Sequence, residues 1–282
     1  MMTPRVAVTG ATGRVGGRVA QRLADAGVAQ RLLVRDAARA PVLDGADVAV
    51  AAYSDTDAVR RALEGVATVL MVSASESRDR VAEHLAFVEG ARLAGVQHVV
   101  YTSFVGAGPF ATFTLARDHG ATEERIISSG MAFTLLRDNF YSDVMPDFVG
   151  ADGVIRGPAG DGRAALLAVD DVVDAAVTVL RDPSQHRDTA YALTGPDALT
   201  FHDVARVLTA ETGRKVAYVD ETVEEAYASR AVYGAPRWQL DAWVSTYTAI
   251  ANGELAEVTS TVRDLTGHAP RDLRTVLRSL TR

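Results

Sequence analysis

Arg5-Val6-Ala7-Val8-Thr9-Gly10-Ala11-Thr12-Gly13-Arg14-Val15-Gly16 is the stretch whose reading decides the fold. A β-branched run ends in a glycine, and Val15, Val19 and Leu23 then recur at helical spacing. The order is strand, glycine turn, helix. Such a turn points backbone N–H groups and a helix N-terminus at one spot, which suits an anion. Gly10 is expected to turn the chain off the strand, Gly13 to let a pyrophosphate reach the backbone, and Gly16 to let helix and strand pack closely. The spacing is G-x-x-G-x-x-G rather than the G-x-G-x-x-G of ordinary dehydrogenases. Read as a dinucleotide site, it comprises Gly10, Ala11, Thr12, Gly13, Arg14, Val15 and Gly16. The bland alternative is a βα turn that binds nothing.

Beyond this turn, strands and helices alternate. Strands are expected near 4–9, 31–35, 47–51, 67–72, 97–102 and 132–136, with helices near 14–27, 55–64, 77–94 and 116–129. Val81, Leu85 and Val88 mark the core face expected for the helix at 77–94. Thr68–Val72 is apolar on both faces, as a strand inside a covered parallel sheet would be. Repeated βα units give an α/β fold, a Rossmann-type doubly wound parallel sheet. Residues 1–150, completed by 164–195, form the expected nucleotide-binding domain. Residues 196–282, with 150–163, form a smaller, mostly helical C-terminal lobe. The glycine-rich 150–163 segment reads as a mobile loop or hairpin able to serve as a lid. Ala164–Val169 reads as a strand, Asp170 or Asp171 as the cap of a helix reaching Leu180, 189–194 as a strand, Thr200–Asp203 as a capping-box helix start, and Lys215–Val219 as a last short strand.

The chain has 282 residues, enough for one large or two joined domains at about 150 residues each. Its net charge of −7 disfavours nucleic acid or an acidic membrane as partner. With no cysteine, disulfides, thiolate catalysis and Cys-based metal sites are excluded, and a reducing cytoplasm is the expected location. Met1–Pro4 does not read as the start of a secretory leader, and no apolar run is long enough to span a bilayer.

In a doubly wound sheet, ligands bind beyond the carboxyl ends of the strands. There, Arg35 ends the second strand where a carboxylate would mark NAD, so the expected cofactor is NADP(H) in preference to NAD(H). Tyr53 is placed on the adenine edge, with Asp55 either nearby or simply capping the next helix. Ser73, Ala74 and Ser75 follow the fourth strand, and Ser103 lies at the end of the fifth. None of the eight tyrosines is followed four residues later by lysine; Lys215 is the one lysine. A tyrosine–lysine alcohol dehydrogenase is thereby excluded. Among the histidines, His119 is the one expected to reach nicotinamide or substrate, and no histidine has metal-ligand spacing, so no metal is expected.

Several further segments carry a family likeness: Val8–Gly13, Leu33-Val34-Arg35-Asp36, Tyr101-Thr102-Ser103, Thr134–Arg137 with Tyr141-Ser142, and Gly157–Gly162. By them the chain resembles the NmrA-like, atypical short-chain dehydrogenase/reductase group, and within it the type 2 NAD(P)H:quinone oxidoreductases of bacteria. The resemblance implies that Gly10–Val15 hold the pyrophosphate and Arg35 the 2′-phosphate, while Ser73–Ser75 and Asn139, Phe140 and Tyr141 line the nicotinamide end. Asp138 and Asn139 depart from the polar pair of the quinone reductases.

Hydride transfer from NADPH to a quinone-like small molecule is the leading expectation, with His119, Asn139 and Tyr141 as catalytic candidates and a monomer or homodimer as the assembly. A quinone takes hydride readily and needs no strongly activated acid. The alternatives are a non-catalytic NADP(H) sensor of the NmrA kind and a reductase of another carbonyl or enone.

Overall fold

The opening run forms strand β1 (Arg5–Thr9), the glycine turn, and helix α1 (Arg14–Asp25). Val15, Val19 and Leu23 are buried on α1, as their spacing predicts. The structure, a computed structural model, describes residues 5–280. The expected strand start at Pro4, the Met1–Pro4 opening and the last two residues of the helical C-terminal stretch lie outside the described residues.

Alternation continues through β2 (Gln30–Val34), β3 (Ala46–Val50), α2 (Thr56–Ala62), β4 (Val66–Met71), α3 (Arg80–Leu93), β5 (His98–Phe104), α4 (Thr114–Ser128) and β6 (Ala132–Asp138). Then come β7 (Val154–Gly157), α5 (Val169–Arg181), β8 (Thr189–Ala192), α6 (Phe201–Thr212), β9 (Ala217–Asp220), α7 (Val223–Arg230), α8 (Arg237–Ala251), α9 (Thr261–Thr266) and α10 (Leu273–Leu280). The seven-stranded sheet runs β3-β2-β1-β4-β5-β6-β8. Val8 pairs in parallel with Leu32 on one side and Leu70 on the other. The strand order therefore reverses between β1 and β4, the position where such sheets hold ligands. Val69, Leu70 and Met71 are all fully buried, so helices cover both faces.

Two compact units are present. The first comprises the chain through Ser103, Asp118–Arg137 and Val172–Tyr191; the second comprises Phe104–Arg117, Asp138–Asp171 and Ala192 onward. The boundary expected at 150 thus moves to 138, and 104–117 also joins the second unit. The physical reason is one aromatic cluster: Phe104, Phe113 and Phe140 stack with ring centroids 5.1–5.4 Å apart.

Three expectations change. On α3 the buried positions are Arg80, His84, Phe87, Val88, Gly90 and Ala91, whereas Val81 and Leu85 are only half-buried. The buried face is rotated from the apolar one and carries two polar side chains. Second, Ala164–Val169 is not a strand; it runs extended with single bridges Ala164–Leu199 and Tyr141–Leu167. Helix α5 begins at Val169, whose N–H is capped by Asp143 Oδ2 at 2.9 Å. Asp170 and Asp171 lie inside its first turn, and Asp171 accepts the Arg271 backbone N–H at 2.7 Å. Third, the 150–163 segment is packed, not loose. Val154–Gly157 pairs in parallel with β9, and Gly157 lies against the Tyr247 ring. The capping box at Thr200 forms as expected, with Asp203 closing it. Among the described residues, no helix is long and apolar enough to cross a membrane.

Candidate functional site

Gly10 takes φ +62°, so the turn off β1 demands a residue without Cβ strain. Its carbonyl accepts the Gly13 N–H at 2.8 Å. A Cβ on Gly16 would strike the Gly10 carbonyl oxygen at 2.5 Å, which is the close helix–strand packing expected of it. No side chain caps the first turn of α1. Its leading N–H groups are therefore available to an anion. Thr12, Gly13 and Arg14 are exposed, whereas Val15 is buried and offers only backbone. The turn opens on a groove of about 460 Å³ whose lining includes Thr12, Gly13, Arg14, Arg18 and Arg39. Arg18 and Arg39 had no distinguishing mark in the sequence, since cations at a helix face or in a loop read as solvated. Arg35 is exposed just past β2, and Asp36 caps the following 3-10 turn by accepting the Ala38 N–H at 3.0 Å.

On the far side of β1, side chains hold the exit of β4. Thr9 Oγ1 accepts the Val72 N–H at 2.9 Å, and the Tyr53 hydroxyl donates to the Val72 carbonyl at 2.7 Å. Tyr53 also bonds Thr9 Oγ1 at 2.5 Å and rests on Phe87. Tyr53, expected on the adenine edge, is a strut of the first unit, and burial pushes its hydroxyl pKa up. Asp55 takes the bland role, capping α2 through the Ala58 N–H at 2.9 Å. The Ser73 N–H donates to Thr102 Oγ1 at 2.8 Å, and Ser75 is exposed.

Ala74 is gripped at both ends of its backbone. Its N–H donates to His84 Nε2 at 2.9 Å and its carbonyl accepts Arg80 Nε at 2.9 Å. His84 Nε2 is thus unprotonated, and Nδ1–H donates to Thr122 Oγ1 at 2.9 Å. Arg80 Nη2 also donates to His119 Nε2 at 2.9 Å, which leaves His119 Nδ1–H to donate to the Tyr101 hydroxyl at 2.9 Å. Tyr101 in turn bonds Thr122, which donates to the Asp118 carbonyl at 2.8 Å. Each imidazole has one nitrogen accepting and one donating, so both are neutral with fixed tautomers. Burial, reinforced by the Arg80 charge, pushes the His84 pKa down to about 3 and that of His119 well below its ordinary value. His119 was expected at a helix N-terminus facing substrate. It lies instead in the second turn of α4, buried, with both ring nitrogens engaged.

Ser103 is likewise buried. Its hydroxyl donates to Glu123 Oε1 at 2.6 Å, and Glu123 receives Arg137 at 2.7 and 2.9 Å. In the second unit, Asn139 Nδ2 donates to the Leu255 carbonyl at 3.0 Å while Oδ1 accepts the Phe140 N–H at 2.8 Å. The Tyr141 hydroxyl donates to Asp138 Oδ2 at 2.5 Å. His119 therefore belongs to one unit, and Asn139, Phe140 and Tyr141 to the other. From the sequence Arg80 has no assigned role, His84 is expected to be structural, and Thr9 and Thr102 stand at strand ends without a role of their own. A polar pair at i and i+4 in step with Phe87, Val88 and Ala91 was the one available signal on α3.

The NmrA-like family matches residues 2–236. NAD(P)H azoreductase of Xenophilus azovorans is 32% identical over 271 residues, covering 94% of each chain. Quinone oxidoreductase 2 of Escherichia coli is 32% identical over 270 residues, covering 93% of this chain and 94% of that one. The crystal structure of the NADPH-dependent E. coli quinone oxidoreductase complexed with NADPH superposes with a TM-score of 0.89 at 31% identity, covering 98% of this chain and all of that one.

Proposed function

The chain belongs to the NmrA-like family, and from that premise we propose that it is an NADPH-dependent oxidoreductase passing hydride to a quinone or similar electron-poor small molecule. One observation carries the reading: an uncapped helix N-terminus behind a glycine turn opens on a groove with Arg14, Arg18 and Arg39 on its walls. That donor set fits a dinucleotide carrying an extra phosphate. Relatives at 32% identity that act as NAD(P)H azoreductase and quinone oxidoreductase support it.

NADPH, when bound, supplies the hydride. The protein binds and orients. The Gly10–Val15 turn would hold the diphosphate, and Arg35, exposed beyond β2, would meet the 2′-phosphate. The β4 exit, with Ser73, Ala74 and Ser75, would flank the nicotinamide half. Within the second unit, Tyr141, its hydroxyl donating to Asp138 Oδ2, is the proposed catalytic polar group. His119, Asn139 and Ser103, whose polar atoms are engaged within their own units, act as supports rather than proton donors. A quinone reduced by hydride becomes a stabilised phenolate, so the reaction tolerates the lack of a strong general acid. We place the enzyme in the cytoplasm, acting on a small molecule as a monomer or homodimer.

Calorimetry tests the cofactor assignment. Arg35→Ala should weaken NADPH by about 10- to 100-fold, the scale of a lost charged hydrogen bond, and NADH little. Equal losses for both refute the 2′-phosphate role. Turnover of simple quinones with NADPH should stand well above a Gly13→Asp control; turnover at the level of that control sinks the reductase reading.

A further inference from the structure

Five side chains from the rest of the first unit converge on three residues. In Val72, Ser73 and Ala74, all three N–H groups and two of three carbonyls are taken by Thr9, Tyr53, Thr102, His84 and Arg80. Only the Ser73 carbonyl has no partner among the described residues. Backbone just past a strand is ordinarily free to adjust, because water satisfies it. Here each peptide is pinned from a different element: β1, the turn before α2, β5 and α3. Such density of side-chain-to-backbone bonds is far more than chain connection needs.

The pinned segment lies where position matters. On the reading above, Arg35 past β2 would hold the adenosine half of the cofactor on that side of β1, and the nicotinamide half would then cross to the β4 side of the reversal. We propose that His84 is a positioning residue for the nicotinamide half: with Arg80 it clamps the Ala74 peptide and presets the β4 exit before the cofactor arrives. The inference rests on the NADPH-reductase reading above. His84 does this through two bonds of opposite sense. Nε2 accepts from Ala74, and Nδ1–H anchors the ring to Thr122 on α4. Arg80 completes the clamp from one turn earlier, and its other nitrogens reach His119 and Asp118, so the clamp is braced by two helices. Prearranged backbone raises affinity by removing an ordering cost at binding.

Binding of NADPH and NADH to the full-length protein, with KM measured separately for cofactor and quinone, tests this. His84→Leu removes the acceptor; His84→Gln places an amide oxygen near the position of Nε2. His84→Leu should weaken both cofactors about 3- to 10-fold, the range of one hydrogen bond, and leave the quinone KM unchanged. His84→Gln should recover to within about two-fold of the parent. Thr122→Val, nearly isosteric, removes the anchor of Nδ1 together with the hydroxyl's bonds to Tyr101 and the Asp118 carbonyl while leaving the Ala74 acceptor in place; it should show a smaller loss in the same direction and serves if His84→Leu does not fold. The inference is overturned if His84→Leu, or Thr122→Val in its place, binds both cofactors like the parent. A loss confined to NADPH, or His84→Gln no better than His84→Leu, overturns it as well. A parent protein that binds neither cofactor sinks the reductase reading itself; a parent that binds with indifferent variants sinks only this one.

Discussion

Asp138 is 3% exposed, with Oδ2 taking the Tyr141 hydroxyl and the buried Oδ1 without a partner among the described residues. Burial pushes its pKa up to about 8, against the pull of the Tyr141 hydrogen bond. The folded state therefore binds a proton that the unfolded chain releases near pH 3.9. The stability this proton confers is complete below the unfolded value and is lost as pH rises from there to about 8, at roughly 1 kcal/mol per pH unit, with no further loss above it. Asp138→Asn, which cannot ionise yet still offers Tyr141 an oxygen, should abolish this loss, which flattens above about pH 8. Melting temperatures from pH 6 to 9 decide it: parallel curves for the two proteins refute the raised carboxyl. Nothing in the sequence marks Asp138 in this way, because a pKa of this kind comes from neighbours distant in sequence. Gly10 and Gly16 are the opposite case. Their roles were legible because a positive φ and a backbone contact act on the chain within a few residues.

At the scale of elements, periodicity located nearly every strand and helix of the sheet and failed where packing asked for something other than a simple apolar stripe. Helix α3 turns a polar face inward because Arg80 and His84 have peptide partners waiting there, and a fully satisfied polar group is tolerated in a core. The 150–163 segment looked mobile because glycine suggests freedom. Two of its glycines instead make room for neighbours. A Cβ on Gly157 would lie 2.5 Å from Tyr247 Cγ, and that ring is wedged against Phe201, at 5.1 Å between centroids, with the Arg230 guanidinium 5.0 Å away. A Cβ on Gly162 would run into the backbone of Ile250 and Ala251. The ring at Gly157 has nowhere to retreat, so Gly157→Ala should cost about 1–3 kcal/mol by overpacking. A loose loop would instead gain slightly from the lost chain freedom. Thermal denaturation of Gly157→Ala separates the two, and an unchanged or raised midpoint would restore the lid.

For the whole molecule, ionisation at two kinds of buried site sets the working range. His84, with a pKa of about 3, His98, with about 4, and His119, well below normal, are all neutral when folded. Desolvation is the largest cause for each. Unfolded, each takes up a proton near pH 6.5. Their contribution is present above that value and is lost as pH falls toward the folded values. Asp138 acts in the other direction, its contribution falling up to about pH 8 and level beyond. Together they place the stability maximum close to about pH 7, with a decline on each side. Denaturant midpoints measured from pH 5 to 9 should trace that dome; a curve rising steadily through the whole range overturns it. The sequence by itself determined the α/β alternation, the glycine turn between β1 and α1, the cation past β2 and the absence of a tyrosine–lysine pair, since each depends on residues near one another along the chain. Only the tertiary structure decided which polar side chains are engaged. His119, Ser103 and Asn139, expected as site residues, turn out to have buried partners within their own units, and the bonds of His84 and Arg80 to the β4 exit exist only because folding brings α3 beneath it. Hydrogen bonds between groups tens of residues apart leave no periodic trace in a sequence, and it is those bonds that divide the groups facing a ligand from the groups that hold them in place.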